Sequence, residues 1–208
     1  MNMKKIANTY NLSEITKKLI ESSFILFNTK TLKDIFEIEN KSSFSAVLKR
    51  LVVSKILLRL EKDKYLVNDR SVKTFNLANL LYAPSYISFE TALNFYGILS
   101  QFPYEISSAT TKKTISKKAA GHQYSYTHLK PELFFGYVKS GGVLIAAPEK
   151  ALLDQIYLAK KGWKKINIDE YDFSIVKKSR LKEYYAKYPR TKQTQKMAGI
   201  INNILKLC

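Results

Sequence analysis

Disulfides, metal ligands, nucleotide-binding glycines and long apolar runs are all missing or nearly so from this chain. Its one cysteine, Cys208, is the last residue. No disulfide framework can form within the chain, a usage expected of a cytoplasmic protein. There are two histidines, His122 and His128, six positions apart on a strand-like stretch and so on one face. No cysteine is near them and no Asp or Glu is spaced to complete a metal site. No apolar run approaches the ~18 residues of a membrane-spanning helix; the stretch GGVLIAAP is far too short. The start, MNMKKIANTY, has lysines but no apolar segment behind them, so no secretory signal is expected. There is no G-x-G-x-x-G, no Walker loop and no nucleophile elbow. Ser140-Gly141-Gly142 lies between two apolar stretches and reads as a hairpin turn, not a phosphate cradle. The carboxylates Glu90, Glu105, Glu132, Glu149 and Asp154 are scattered, and a helix does not bring Glu149 and Asp154, five apart, face to face. Glu149, beside Lys150 at a helix start, reads as a dipole and capping group. These absences argue against an enzyme, a cofactor and a membrane protein.

Acid is also scarce. Lys and Arg number 35 against 17 Asp and Glu, a net charge of +18. Residues 1–82 carry 15 basic and 8 acidic groups, residues 83–159 carry 7 and 5, and residues 160–208 carry 13 and 4. Both ends are basic and the middle is nearly neutral. Such a field favours nucleic acid, because each phosphate a cation neutralises releases counterions. Apolar residues make up 46% of the chain, enough for a packed core.

The first 67 residues carry a moderately specific pattern. LSEITKKLIESS places Leu12, Ile15, Leu19 and Ile20 at helical spacing with Ser13 to cap. FILF at 24–27 reads as a short strand, and a second helix starts at Thr29 or Thr31 and runs through Phe36 with Leu32, Ile35 and Phe36 on one face. A third helix begins at 40–42 and ends near Ser54. At 100° per residue, Phe44, Val47, Leu48, Leu51 and Val52 share its inner face, while Ser42, Ser45, Ala46 and Lys49 lie opposite with Ser43 and Arg50 on a flank. A helix that enters a DNA major groove needs this outer face: small residues for close approach, hydroxyls and cations for bases and phosphates. Next, Ile56–Leu60 and Tyr65–Val67 read as strands around the turn EKDK, which puts Arg59, Lys62 and Lys64 on or beside a hairpin. Val53 also falls on the outer side of the third helix, either as a blemish or as a contact with this hairpin. Three helices and a hairpin predict a winged helix-turn-helix over 1–75, with Thr31, Lys33, Lys41, Ser42, Ser43, Ser45, Lys49 and Arg50 facing DNA and Arg59, Lys62 and Lys64 on its backbone. The bland alternative is a three-helix bundle with a solvated charged turn.

A linker with helical character, DRSVKTFNLANLLYAPS, leads into a mixed α/β domain over 76–208, so the whole is α+β. SFETALNFYG reads as a helix capped by Ser88, with Glu90 in its first turn and Gly97 at its end. YEISSAT and HQYSYTHL are strands, ELFFGYVKSGGVLIAAP is a hairpin, and PEKALLDQIYLAKKG is a buried helix with Pro148 at its first position and Gly162 just past its end. The tail gives two basic helices divided at Pro189. Two readings stand for SSATTKKTISKK at 107–118: a second phosphate-contacting loop, or a mobile solvated one. The tyrosines of RLKEYYAKYPRTK, set among cations, suit either single-stranded nucleic-acid stacking or helix packing with wet hydroxyls.

An ordered series of short motifs in the second half, Tyr86-Ile87-Ser88, Ala92-Leu93, Tyr96-Gly97, Thr110, Tyr126–His128 and Pro148-Glu149-Lys150-Ala151, resembles the AbiEi family of antitoxins and transcriptional regulators. The resemblance spans about residues 10–160. It departs in the hairpin, where the family's Gly-x-Tyr is Asp63-Lys64-Tyr65. The resemblance implies an N-terminal winged helix that binds the promoter of its own operon as double-stranded DNA; binding to an inverted repeat would require two copies, a homodimer on DNA. It also implies a C-terminal domain that counters a nucleotidyltransferase-like toxin in a prokaryotic toxin–antitoxin system, without catalysis. A C-terminal domain that binds the toxin or an RNA directly is the alternative.

Overall fold

A computed structural model describes residues 10–22, 24, 26–68, 74–163 and 166–208. They fall into two compact units, one within 1–72 and one within 73–208. The whole is α+β. Of the linker expected ahead of the second domain, residues 69–73 lie outside the described residues.

The first unit runs α1 (Leu12–Glu21), β1 (Leu26–Phe27), α2 (Thr29–Phe36), α3 (Lys41–Val53), β2 (Leu57–Glu61) and β3 (Lys64–Val67). Asparagine starts all three helices. The side chains of Asn11, Asn28 and Asn40 accept backbone N–H groups of the first turns of α1, α2 and α3. Ser13, expected as the cap of α1, instead donates both its N–H and its hydroxyl to Asn11. The inner faces of the helices close on one core containing Ile15, Leu19, Phe27, Leu32, Phe36, Phe44, Val47, Leu51 and Leu57. Truncating such a residue to alanine costs about 2–5 kcal/mol. Ile20, placed on that face by spacing, is 68% exposed: it lies 100° from Leu19 and falls off the stripe. The sheet order is β1-β3-β2, all antiparallel. The turn between β2 and β3 is tighter than the four-residue EKDK, because Glu61 and Lys64 already pair across it. Asp63 takes the left-handed conformation there, φ 60, which Asp tolerates better than most residues.

The second unit holds a six-stranded mixed sheet, in the order β6-β7-β5-β4-β9-β8. Its strands are β4 (Ser85–Ile87), β5 (Ile106–Thr110), β6 (Ile115–Ala119), β7 (His122–His128), β8 (Tyr137–Ser140) and β9 (Val143–Ala146). The helices are α4 (Thr74–Leu81), α5 (Phe89–Phe95), α6 (Pro148–Lys160), α7 (Lys178–Ala186), α8 (Lys192–Gln195) and α9 (Ala198–Leu207). Residues 74–81 are therefore no linker, since α4 packs on β4 and β9. Strand alternation separates the two faces. Tyr126 donates its hydroxyl to Ala78 O of α4 (2.7 Å), while Tyr86 points the other way, to Asp154 of α6 (2.9 Å). Coverage on both sides explains why all of β4 is buried. The tail is three helices, not two, because residues 196–197 form a turn between α8 and α9.

Several expectations about this unit need correction. Segment 107–118 is not one loop: residues 107–110 and 115–119 are strands and only 111–114 turn between them. The hydroxyl residues Ser107, Ser108 and Thr110 are buried in the sheet. Ser88 occupies the cap position of α5 but makes no cap bond; its hydroxyl goes to Asp154 instead. Glu149 accepts the backbone N–H of Lys177 (2.9 Å), fastening the approach to α7 rather than only its own helix start.

Candidate nucleic-acid interface

The outer side of α3 is polar because the apolar residues that fix the helix use only one stripe. Phe44, Val47 and Leu51 are buried, and Leu48 and Val52 pack beside them. Lys41, Ser42, Ser45, Ala46, Lys49 and Arg50 are exposed, and Ser43 is half-buried. Among the described residues no carboxylate forms an ion pair with Lys41, Lys49 or Arg50. Val53 is 73% exposed and so does not pack on the hairpin.

The remaining predicted residues are less uniform. Thr31 and Ser42 donate their hydroxyls to the capping Asn28 (3.1 Å) and Asn40 (2.6 Å), so these hydroxyls are already committed to the helix starts. Lys33 is exposed on α2. In the hairpin, Arg59 and Lys62 are exposed. Lys64 differs: its ammonium lies 3.3 Å from Glu61, so part of its charge is offset locally. Asp63 accepts the N–H of Thr29 at 2.6 Å, tying the hairpin turn to the start of α2. Hydrogen bonding from Thr29 holds its carboxyl below the usual range. Pattern reading missed Lys55, exposed at the end of α3 with φ 59; its signal was a lysine placed between a helix end and a strand.

The second unit contains a polar constellation of the opposite kind. Lys150 and Asp154, one turn apart on α6, form an ion pair with no exposure on either side chain. Asp154 also accepts the hydroxyls of Tyr86 (2.9 Å), Ser88 (2.8 Å) and Tyr188 (3.1 Å). Lys150 donates to Tyr188 (3.0 Å) and sits 4.7 Å above the Phe135 ring. Burial pushes Lys150 down, with Asp154 opposing it. Burial and the Asp154 charge push the Tyr86 and Tyr188 phenols up. The Tyr188 hydroxyl is thus buried, not wet as helix packing predicted. The available signal was a Lys and an Asp four apart on a helix otherwise apolar around its circumference. With both charged side chains sealed from water, the cluster reads as a lock between α6, β4 and the tail.

His122 and His128 do lie on one strand, β7. Among the described residues no three His, Cys, Asp or Glu side chains gather as they would to hold a metal ion. No helix among those residues is long and apolar enough to cross a membrane. Neither a protein-family model nor a curated protein matches the chain.

Proposed function

We propose that the chain is a DNA-binding autorepressor and antitoxin of the AbiEi kind, which reads operator DNA through a winged helix-turn-helix. The observation that carries this reading is the exposed face of α3, where Lys41, Lys49 and Arg50 stand without ion-pair partners among the described residues, around Ser45 and Ala46. The order α1-β1-α2-α3-β2-β3 with sheet β1-β3-β2 supports it, since this order sets a charged hairpin directly after a candidate recognition helix. In this reading α3 enters the major groove. Lys49 and Arg50 meet phosphate or guanine, and Ser45 and Ala46 allow close approach. Arg59 and Lys62 hold the backbone from the hairpin. Two copies occupy an inverted repeat. The second unit counters a nucleotidyltransferase-like toxin and performs no catalysis, so neither metal nor cofactor is needed.

The test is a titration of labelled duplex from upstream of the chain's own reading frame. Wild type binds it more tightly than scrambled duplex, and the double variant Lys49→Ala/Arg50→Ala loses that preference. Equal affinity for both duplexes by wild type removes the regulator reading.

A further inference from the structure

The turn 111–114 of the second unit opens onto a trough of about 630 Å³. Tyr82, Lys112, Lys113, Thr114, His128 and Trp163 line it, and among the described residues no carboxylate does. The turn is held rather than loose. Tyr82 donates its hydroxyl to Lys113 O (3.1 Å), and Lys112 N–H donates to Thr110 Oγ1 (3.1 Å). His128 grips the turn twice, through its N–H to Thr114 Oγ1 (3.0 Å) and through Nδ1 to Lys112 O (3.0 Å). A carbonyl only accepts, so Nδ1 carries the proton of that bond.

Lys112 and Lys113 line this trough together with the Tyr82 and Trp163 rings, and Lys117 and Lys161 flank those rings. The ammonium groups of Lys112 and Lys117 lie 5.4 and 5.1 Å from the centre of the Tyr82 ring. That of Lys161 lies 5.0 Å from the Trp163 ring, which is 56% exposed. Cations alone would suit any anion, and an exposed ring alone any apolar group. Together they match a phosphate joined to a planar base. We infer that this trough binds single-stranded nucleic acid, with a base stacked on Trp163 and the adjoining phosphates met by Lys112 and Lys113. A duplex hides its base faces inside the stack, so it cannot use Trp163. A free nucleotide is the poorer fit, because ligand pockets bury most of their ligand and here the main stacking surface is over half exposed. One stacked base per site is weak, and a strand gains from neighbouring phosphates.

The experiment is fluorescence anisotropy of the full chain with labelled oligothymidylate and oligouridylate of about a dozen nucleotides, and with an abasic strand of equal length. All proteins carry Lys49→Ala/Arg50→Ala, which takes α3 out of the comparison. Failure here therefore leaves the operator reading standing, and the reverse holds too. Trp163→Ala is expected to weaken strand binding about tenfold and Trp163→Phe to restore most of it. Lys112→Gln/Lys113→Gln is expected to lower the salt slope by about 1.4. Where Trp163→Ala lowers the melting temperature, the exposed lysine pair carries the test. Equal affinity for base-bearing and abasic strands, or no effect of either variant, overturns the proposal. Competition by a mononucleotide at concentrations matching the strand assigns the trough to a free nucleotide and overturns it as well. The DNA and RNA arms decide which strand is preferred.

Discussion

The outer face of α3 and the interior around Asp154 treat charge in opposite ways. On α3, Lys41, Lys49 and Arg50 stand in water with no ion-pair partner among the described residues. Around Asp154, one carboxylate gathers an ammonium and three hydroxyls, and no side chain of the ion pair touches water. Exposed cations contribute little to folding and stay available to an external anion. A buried pair is fully committed, and removing half of it leaves an uncompensated charge. Charge that waits for a partner marks the candidate interface, and charge that already has every partner marks architecture.

The largest expected effect lies inside the second unit. Asp154→Ala is expected to cost about 3–5 kcal/mol, because Lys150 is then buried without its counterion. Replacing both residues, as in Lys150→Met/Asp154→Leu, is expected to recover only part of this loss, since the uncompensated charge is gone but the hydroxyls of Tyr86, Ser88 and Tyr188 lose their acceptor. Urea denaturation of the three proteins checks this. A double variant as unstable as the single one would mean that the cluster does more than satisfy itself.

Tyr124→Phe sharpens the same contrast with a smaller effect. The Tyr124 hydroxyl is buried with no hydrogen-bond partner among the described residues, so its removal is expected to be neutral or to stabilise by up to about 1 kcal/mol. Burial pushes this phenol up to about 12, against about 10 in an unfolded chain. The folded value is the higher one, so its contribution is present below pH ~10 and lost as pH rises toward 12. Stability of Tyr124→Phe is expected to fall less steeply across that window, as thermal melts at stepped alkaline pH would show.

The smallest effect lies in the hairpin. Asp63→Asn keeps the left-handed turn but weakens the bond to Thr29. A slight drop in melting temperature is expected at neutral pH. The depressed Asp63 carboxyl contributes above the ordinary value of 3.8 and loses that contribution as pH falls below it. The gap between the two proteins should therefore close in acid.

Much of the first unit could be read from residues alone, because helical periodicity is a local signal. The bounds of α3 lie within a residue or so of those expected, and its buried stripe is the one the 100° wheel gives. Cap identities were less legible: Ser13 and Asn11 both suit a cap, and backbone geometry decides between them. In the second unit β5, β7, the β8–β9 hairpin and α6 were legible, but β4, β6 and the Asp154 network were not. Its members come from β4, the residue after it, α6 and the segment beyond α7, and only the Lys150–Asp154 spacing is local. The segment 107–118 misled because its composition resembles a loop, whereas Ser107, Ser108 and Thr110 lie in β5, an inner strand buried along most of its length.

The proposed placement of α3 against DNA is read most plainly from the salt dependence of operator binding. With wild type and Lys49→Ala/Arg50→Ala titrated on the same duplex across a salt series, the account predicts weaker binding by the variant and a log–log slope shallower by about 1.8, or about 0.9 for each lost phosphate contact. Its melting temperature is expected to be unchanged, since both side chains are exposed. Identical slopes and affinities for the two proteins would contradict the placement of α3 against DNA.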